Sequence, residues 1–259
     1  MEITPKFQVT DDQFRSFDDN GYFITAPLFD SATLESVQGE FQRMWDEDIA
    51  KAEQTGSAVD VEFARLRPFF SHLEKRSSVC AAFCRHPQLV ALAQQMLGDE
   101  LDLTWNQAIV KPPAKGKPFA WHQDGFYAVN NAHAKDADPK LALGGKSQIT
   151  YWIAITRTTI ENGTLWVVPG LHKQGLLPHV WSQEQREWQC QFDSSGKIPC
   201  ELQPGQVLVF TNLVPHSSGP NISNEVRMAY QIGYGIPGVL KNNYQLPVLR
   251  SGKVVESLI

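Results

Sequence analysis

Near residue 100 the hydrophobic period of the chain changes, and this change constrains the fold more than any other feature. Before it, apolar residues recur at helical spacing. After it, short runs of Val, Ile, Thr, Tyr and Trp, bounded by Gly, Pro and Asn, follow one another with no helical stretch between them. In "TDDQFRSFDDNGYFI", Thr10 reads as an N-cap, Phe14 and Phe17 as the apolar face, and Asn20-Gly21 as the helix end. "DSATLESVQGEFQRMWDEDIAKAE" places Leu34, Val37, Phe41, Met44 and Trp45 on one helical stripe. A polar stretch, "QTGSAVD", separates it from "EFARLRPFFSHL", and "SSVCAAFCRHPQLVALAQQMLG" predicts one or two helices broken at Pro87 and closed by Gly98.

The β segments are "LDLTWNQAIVK", "SQITYWIAIT", "TLWVVPG", "QVLVFTN" and "VRMAYQIGYG". Successive strands without crossover helices imply an antiparallel sandwich or jelly-roll barrel. The expected class is therefore mostly β with flanking helices: a single domain over residues 1–259, helical over about 10–98, with a jelly-roll core over about 101–235. Two connections, residues 128–147 and 171–200, are too long for plain turns and read either as lids over a site or as surface insertions.

Composition narrows the partner. Hydrophobic residues at 42% and charged residues at 20% exclude a disordered chain. A net charge of -5, with no Lys/Arg run able to track a phosphate backbone, argues against nucleic acid and for a small-molecule partner. No run of about 18 apolar residues is present, so no membrane span is expected, and the acidic "MEITPKFQVTDDQF" lacks an apolar signal core. The four cysteines show no C-x-x-C spacing, which fits reduced thiols and a cytoplasmic location. Nothing in the sequence speaks to oligomeric state.

One stretch carries chemistry. In "FAWHQDGFY", His122 and Asp124 would share a face of a strand while Gln123 points away. By itself this pair is a weak signal, more often a surface turn than half of a metal site, and a third ligand is required. Among the other histidines, His72 and His86 read as helix-face or capping residues, His133 falls in a loop and His172 follows Pro169-Gly170. His216, in "QVLVFTNLVPHSSGPNIS", follows a buried-looking strand and a short turn. With it the set becomes two histidines and a carboxylate with three open coordination positions, the arrangement of non-heme Fe(II) oxygenases. Arg227 lies on the next strand. Buried there, it requires an anion, and Ser218 offers a hydroxyl beside it. A dicarboxylate bound to iron at one end and to Arg227 at the other meets both demands.

Assembled in order, "FRSFDDNGYFITAPLFD", "WNQAIVKPP", "WHQD", "TYWIAIT", "ENGTLWVVPGLH", "QPGQVLVFTNLVPHSSGPN" and the closing Arg resemble the phytanoyl-CoA dioxygenase family of Fe(II)/2-oxoglutarate-dependent oxygenases, from about residue 10 to about 235. The resemblance implies a double-stranded β-helix, cupin-like, with the N-terminal helices packed on one sheet. It implies Fe(II) held by His122, Asp124 and His216, and the distal carboxylate of 2-oxoglutarate held by Arg227 and Ser218. Gln107 and Trp152 fall where the family lines the co-substrate pocket, although a Trp on a strand also reads as plain core. Asn162, Gly163, Pro169 and Gly170 match a motif that looks structural, and Leu171 stands where the family often has Ser or Thr. The implied reaction uses O2 and 2-oxoglutarate and releases succinate and CO2, with hydroxylation of an unactivated C–H as the default. Oxidative cyclisation, epimerisation, desaturation, or a cupin-like metal protein without oxygenase activity are the alternatives. Asp124 argues against halogenation. Phe126, Tyr127 and the long loops are expected to shape the substrate pocket, and Arg65 and Arg67 read as anion contacts or as solvated helix charges.

Overall fold

A computed structural model describes residues 7–66, 68–130, 142–144, 146–240 and 245–256. The helices are α1 (Asp11–Asn20), α2 (Ser31–Thr55), α3 (Ala58–Leu66), α4 (Ser78–Phe83), α5 (Pro87–Leu97) and α6 (Asp124–Asn130). The strands are β1 (Tyr22–Ile24), β2 (Phe69–Ser71), β3 (Leu101–Lys111), β4 (Phe119–His122), β5 (Gln148–Ala154), β6 (Leu165–Val167), β7 (His179–Ser182), β8 (Glu187–Cys190), β9 (Ile198–Cys200), β10 (Val207–Thr211), β11 (His216–Ser218), β12 (Arg227–Gly235), β13 (Leu246–Arg250) and β14 (Lys253–Val254).

The helix boundaries follow local chemistry. Thr10 and Gln13 close a reciprocal capping box on α1, and Gly21, at φ 86°, ends it in the left-handed conformation that glycine adopts without strain. Asp30 caps α2 by accepting from the Thr33 amide. His86 caps α5, whose first residue is Pro87, where the missing N–H is no loss. The polar separator is shorter than the sequence suggested, because α3 already begins at Ala58.

All described strand pairs are antiparallel. The larger sheet runs β1-β10-β5-β12-β3-β13-β14, with β2 also pairing β3, and the smaller runs β4-β11-β6-β9. Together they form the double-stranded β-helix. Strands at residues 22–24, 69–71 and 246–254 join the sheet from outside residues 101–235. Residues 171–200 are not a plain loop: they hold a short 3-10 turn, the hairpin β7-β8, and β9. Of the other long connection, residues 131–141 and 145 lie outside the described residues, as do His133 and Arg67.

The central strands β5, β10 and β12 of the larger sheet are buried along their whole length, on both faces. Strand periodicity nevertheless separates two tasks. Met228, Tyr230, Ile232 and Tyr234 of β12 join Tyr151 and Ile153 of β5 in the cluster that packs under α1, α2, α4 and α5. The alternate residues Trp152, Ala154 and Ala229 face the smaller sheet, against Leu165 and Val167. Phe41 of α2 meets the Tyr230 ring edge-on at 5.2 Å, and Phe83 of α4 stacks on the same ring at 5.6 Å. Phe41 is fully buried, so Phe41→Ala is expected to lower unfolding stability by about 3–5 kcal/mol in chemical denaturation. Because Phe41 lies on the far side of the sheet from the inner-face residues, the folded variant should bind ligands as the parent does.

Candidate metal centre

Antiparallel pairing of β4 with β11 makes His122 and His216 direct Cα partners. Their rings lie 4.2 Å apart between centroids. Asp124 reaches them by a different route from the shared strand face that the spacing suggested. The strand ends at His122, the chain turns at Gln123, and Asp124 opens α6. Its Oδ1 still stands 3.7 Å from His122 Nε2 and 3.6 Å from His216 Nε2.

The protons of this cluster are placed by its surroundings. His122 Nδ1 lies 2.8 Å from the Ala120 carbonyl and His216 Nδ1 lies 3.0 Å from the Val214 carbonyl. A carbonyl only accepts, so each Nδ1 carries the hydrogen and each Nε2 turns a lone pair toward Asp124. Burial, reinforced by His216, pushes the His122 imidazole down from its ordinary range and so favours its neutral, ligating form. With both imidazoles in their neutral form, three acceptors converge here, all within 4.8 Å of one another. Such a set is repulsive without a cation between its members. Its donor types suit a divalent transition metal, iron included.

Arg227 opens β12 and is 1% exposed. One guanidinium nitrogen donates to the Ile109 carbonyl at 3.1 Å, the group lies over the Trp152 ring at 5.3 Å, and its Nε has no hydrogen-bond partner. Burial lowers its pKa to about 9. Among the described residues no carboxylate pairs with it, so an enclosed cation lacks its counter-ion. His122, Asp124, His216, Arg227, Ser218, Gln107 and Trp152 all line one cavity of about 770 Å³. The two demands inferred from sequence, a metal and an anion, thus open onto the same space.

A family model described as phytanoyl-CoA dioxygenase (PhyH) matches residues 17–229. The chain belongs to the phytanoyl-CoA dioxygenase family. It is 28% identical over 228 residues to the ectoine dioxygenase of Bordetella bronchiseptica, an alignment covering 82% of this chain and 70% of that protein. In fold it is similar to EctD from S. alaskensis, with a TM-score of 0.68 and 20% identity, covering 95% of this chain and 83% of that one. It is also similar to the non-heme alpha ketoglutarate dependent epimerase SnoN from nogalamycin biosynthesis, with a TM-score of 0.65 and 17% identity, covering 94% and 86% of the two chains. By class the protein is an Fe(II)/2-oxoglutarate-dependent dioxygenase.

Within this PhyH-family chain several residues act beyond what the spacing indicated. Gln123 does turn away from the metal centre, but into protein rather than solvent, and is fully buried. Its Nε2 donates to the carbonyls of Gly175 at 2.9 Å and Leu213 at 2.6 Å, and its Oε1 accepts from the Leu177 amide at 2.8 Å. One side chain therefore ties the segment between His122 and Asp124 to the approach of His216 and to the base of the β7-β8 hairpin. Phe126 stacks on His179 of that hairpin at 4.1 Å and meets Trp188 at 5.1 Å. Trp188 and Glu187 line the cavity, as does Tyr127. Gln231, on the same strand face as Arg227, donates to Asp124 Oδ2 at 2.8 Å. His86 caps a helix as expected, whereas His72 adopts φ 55°, sits edge-on to Trp105 at 5.1 Å and lines the cavity. Arg65 pairs with Glu53 at 2.6 Å on an exposed helical surface. Asn162 organises a turn by accepting from the Thr159 amide at 2.8 Å.

Two outcomes follow from this geometry. Gln123→Leu keeps the volume but leaves two carbonyls and an amide unpaired, which costs about 1–3 kcal/mol for each group left buried. Hydrogen exchange should quicken in the hairpin while the larger sheet stays protected. The second outcome concerns acid. His72, His86, His122, His172 and His179 are all shifted below 6.5, with burial the largest cause in each. Unfolded imidazoles take up protons first as pH falls, so the unfolded state binds more protons and gains. The metal-free protein should therefore lose stability progressively below about pH 6.5, and His122→Gln should flatten that slope in urea titrations.

Proposed function

We propose that this PhyH-family enzyme oxidises an unactivated C–H of a small organic molecule, hydroxylating it, with 2-oxoglutarate as co-substrate. The observation that carries the reading is Arg227: a buried guanidinium with an unpartnered Nε on the cavity that also holds the three converging acceptors. On this reading His122, Asp124 and His216 hold the iron. Arg227 and Ser218 take the distal carboxylate of 2-oxoglutarate by charge-assisted hydrogen bonds, while the Trp152 face supports the guanidinium. Trp152 walls the co-substrate space between the sheets, and Gln107 lines the same cavity. Iron bound with 2-oxoglutarate and O2 supplies an oxidant able to remove hydrogen from an unactivated C–H, with succinate and CO2 as co-products. The protein's share is to hold the ligands, orient the substrate and exclude water, which the aromatic walls at Trp105, Tyr127 and Trp188 support.

The relatives include both ectoine dioxygenases and phytanoyl-CoA dioxygenases, so the choice between a small molecule and a CoA thioester rests on the cavity. The cavity favours the small molecule: besides Arg227, the only Lys or Arg among the described lining residues is Lys75, too little for a CoA phosphate group. The likeness to an epimerase keeps a second outcome in view, in which hydrogen is removed without transfer of oxygen to the product. Product mass on the turned-over substrate separates the two, since hydroxylation adds one oxygen atom.

Purified protein supplied with Fe(II) is expected to form succinate slowly from 2-oxoglutarate even without its own substrate. His122→Ala should abolish this turnover. Arg227→Ala should raise the KM for 2-oxoglutarate by about ten- to a hundredfold for each charge-assisted hydrogen bond lost. No succinate from metal-loaded protein would rule out the oxygenase reading, and an unchanged KM in Arg227→Ala would favour a cupin-like metal protein instead.

A further inference from the structure

Asp124 presents Oδ1 to the two imidazoles and leaves Oδ2 to the protein. Thr150 Oγ1 approaches Oδ2 at 3.4 Å, but the short contact, 2.8 Å, is from Gln231 Nε2. Gln231 is in turn held by Gln107, its Cα partner across β12 and β3, whose Nε2 donates to Gln231 Oε1. Gln107 Oε1 accepts from the indole N–H of Trp105, two residues earlier on β3, at 2.6 Å. The result is a directed chain, Trp105 to Gln107 to Gln231 to Asp124. Its two ends fix its direction: an indole N–H can only donate and a carboxylate can only accept, so the two amides between them have one satisfied order. Reversing either amide would set a carbonyl against the carboxylate or leave the indole N–H facing an NH2 group.

We propose that Trp105, Gln107 and Gln231 form a positioning relay that holds the Asp124 carboxylate in its metal-binding orientation, and that Gln107 acts through this relay rather than as a direct contact of the co-substrate. The inference rests on the metal-centre reading above. Outer partners of metal ligands fix ligand orientation and basicity, and their loss typically weakens metal affinity by about ten- to a hundredfold. Aligned hydrogen bonds in a low-dielectric interior also polarise one another, so the carboxylate is held more firmly than by an isolated amide. Trp105 lies on the cavity wall, which places the outer end of the relay where a substrate would lie.

The test uses the full chain, Ni(II) as a redox-stable probe and calorimetry. Gln231→Leu should weaken Ni(II) binding by about ten- to a hundredfold. Gln107→Leu should weaken it less, and Trp105→Phe, which keeps the ring and removes only the N–H, least. In the same Ni(II)-loaded variants, 2-oxoglutarate affinity and melting temperature should stay near the parent values, whereas a general structural role would lower all three together. The relay is overturned if Gln107→Leu weakens 2-oxoglutarate binding and leaves Ni(II) affinity intact, because Gln107 would then be a co-substrate contact. It is also overturned if Gln231→Leu binds Ni(II) as the parent does. A parent protein that fails to bind Ni(II), or a His122→Ala variant that binds it equally well, would defeat the metal centre itself and the relay with it.

Discussion

Two imidazole nitrogens and a carboxylate oxygen converge between the two sheets, and the surrounding structure keeps them there. Backbone carbonyls hold the Nδ1 hydrogens of His122 and His216 and so direct both Nε2 atoms inward, while Asp124 adds a negative oxygen between them. In a low-dielectric interior such convergence is unfavourable until a cation relieves it. The constraint reaches the topology. His122 and His216 stay together only while β4 and β11 keep their register, and Asp124 stays with them only while the turn at Gln123 is fixed. Gln123 meets the second requirement from behind, through three hydrogen bonds to two segments that are distant in sequence.

Polar residues in the space between the sheets are tolerable because apolar packing is supplied elsewhere. Alternation along β12 gives Met228, Tyr230, Ile232 and Tyr234 to the helical layer and leaves Arg227, Ala229, Gln231 and Gly233 for the interior. The helices thus provide most of the burial while the inner face is free to carry Gln, Thr and Arg. A slip of one residue in β12 would exchange the two sets, bringing tyrosines into the site and burying Arg227 beneath α2. Register is therefore a functional quantity here as well as a structural one.

Much of this was legible in the sequence because it depends on local periodicity. The stripe from Leu34 to Met44, the stops at Gly21 and Gly98, the break at Pro87 and the five principal β segments need only neighbours in the chain to be recognised. His122, Asp124, His216 and Arg227 could be singled out because unpaired ionisable residues on buried strands demand an explanation. The short strands were not legible: β1, β2 and β11 have three residues each, and their pairing is decided by partners far along the chain. The hairpin in residues 171–200 escaped for a similar reason, since Val180, Trp181 and Trp188 are exposed apolar residues of a small ribbon whose burial does not alternate. Gln231 lay within reach, four residues after Arg227 and so on the same strand face. A neutral amide raises no electrostatic alarm, however, and its importance appears only once Asp124 is beside it.

The same inner face distinguishes the two ends of the cavity. Arg227 begins β12 and Gly233 lies six residues on, a span of about 20 Å along the strand. At the first end the residues are a guanidinium, Trp152 and Ser218. At the other, a β-bulge opposite Gly233 and Tyr234 inserts Thr104 as an extra residue, so that Thr104 and Trp105 both line the cavity although adjacent in sequence. The bulge brings Thr104 so close that a Cβ on Gly233 would meet its Oγ1 at 2.7 Å, which explains the glycine. On the proposed reading the charged end takes the co-substrate. The bulged end, walled by aromatic rings and hydroxyl and amide groups, takes the molecule to be oxidised. The metal ligands and the amides of Gln107 and Gln231 lie between them, where the two compounds must meet. Changes in substrate preference are accordingly expected to arise from the bulge, which lies away from the pairing of β4 with β11, whereas the β7-β8 hairpin is bonded to the turn at Gln123.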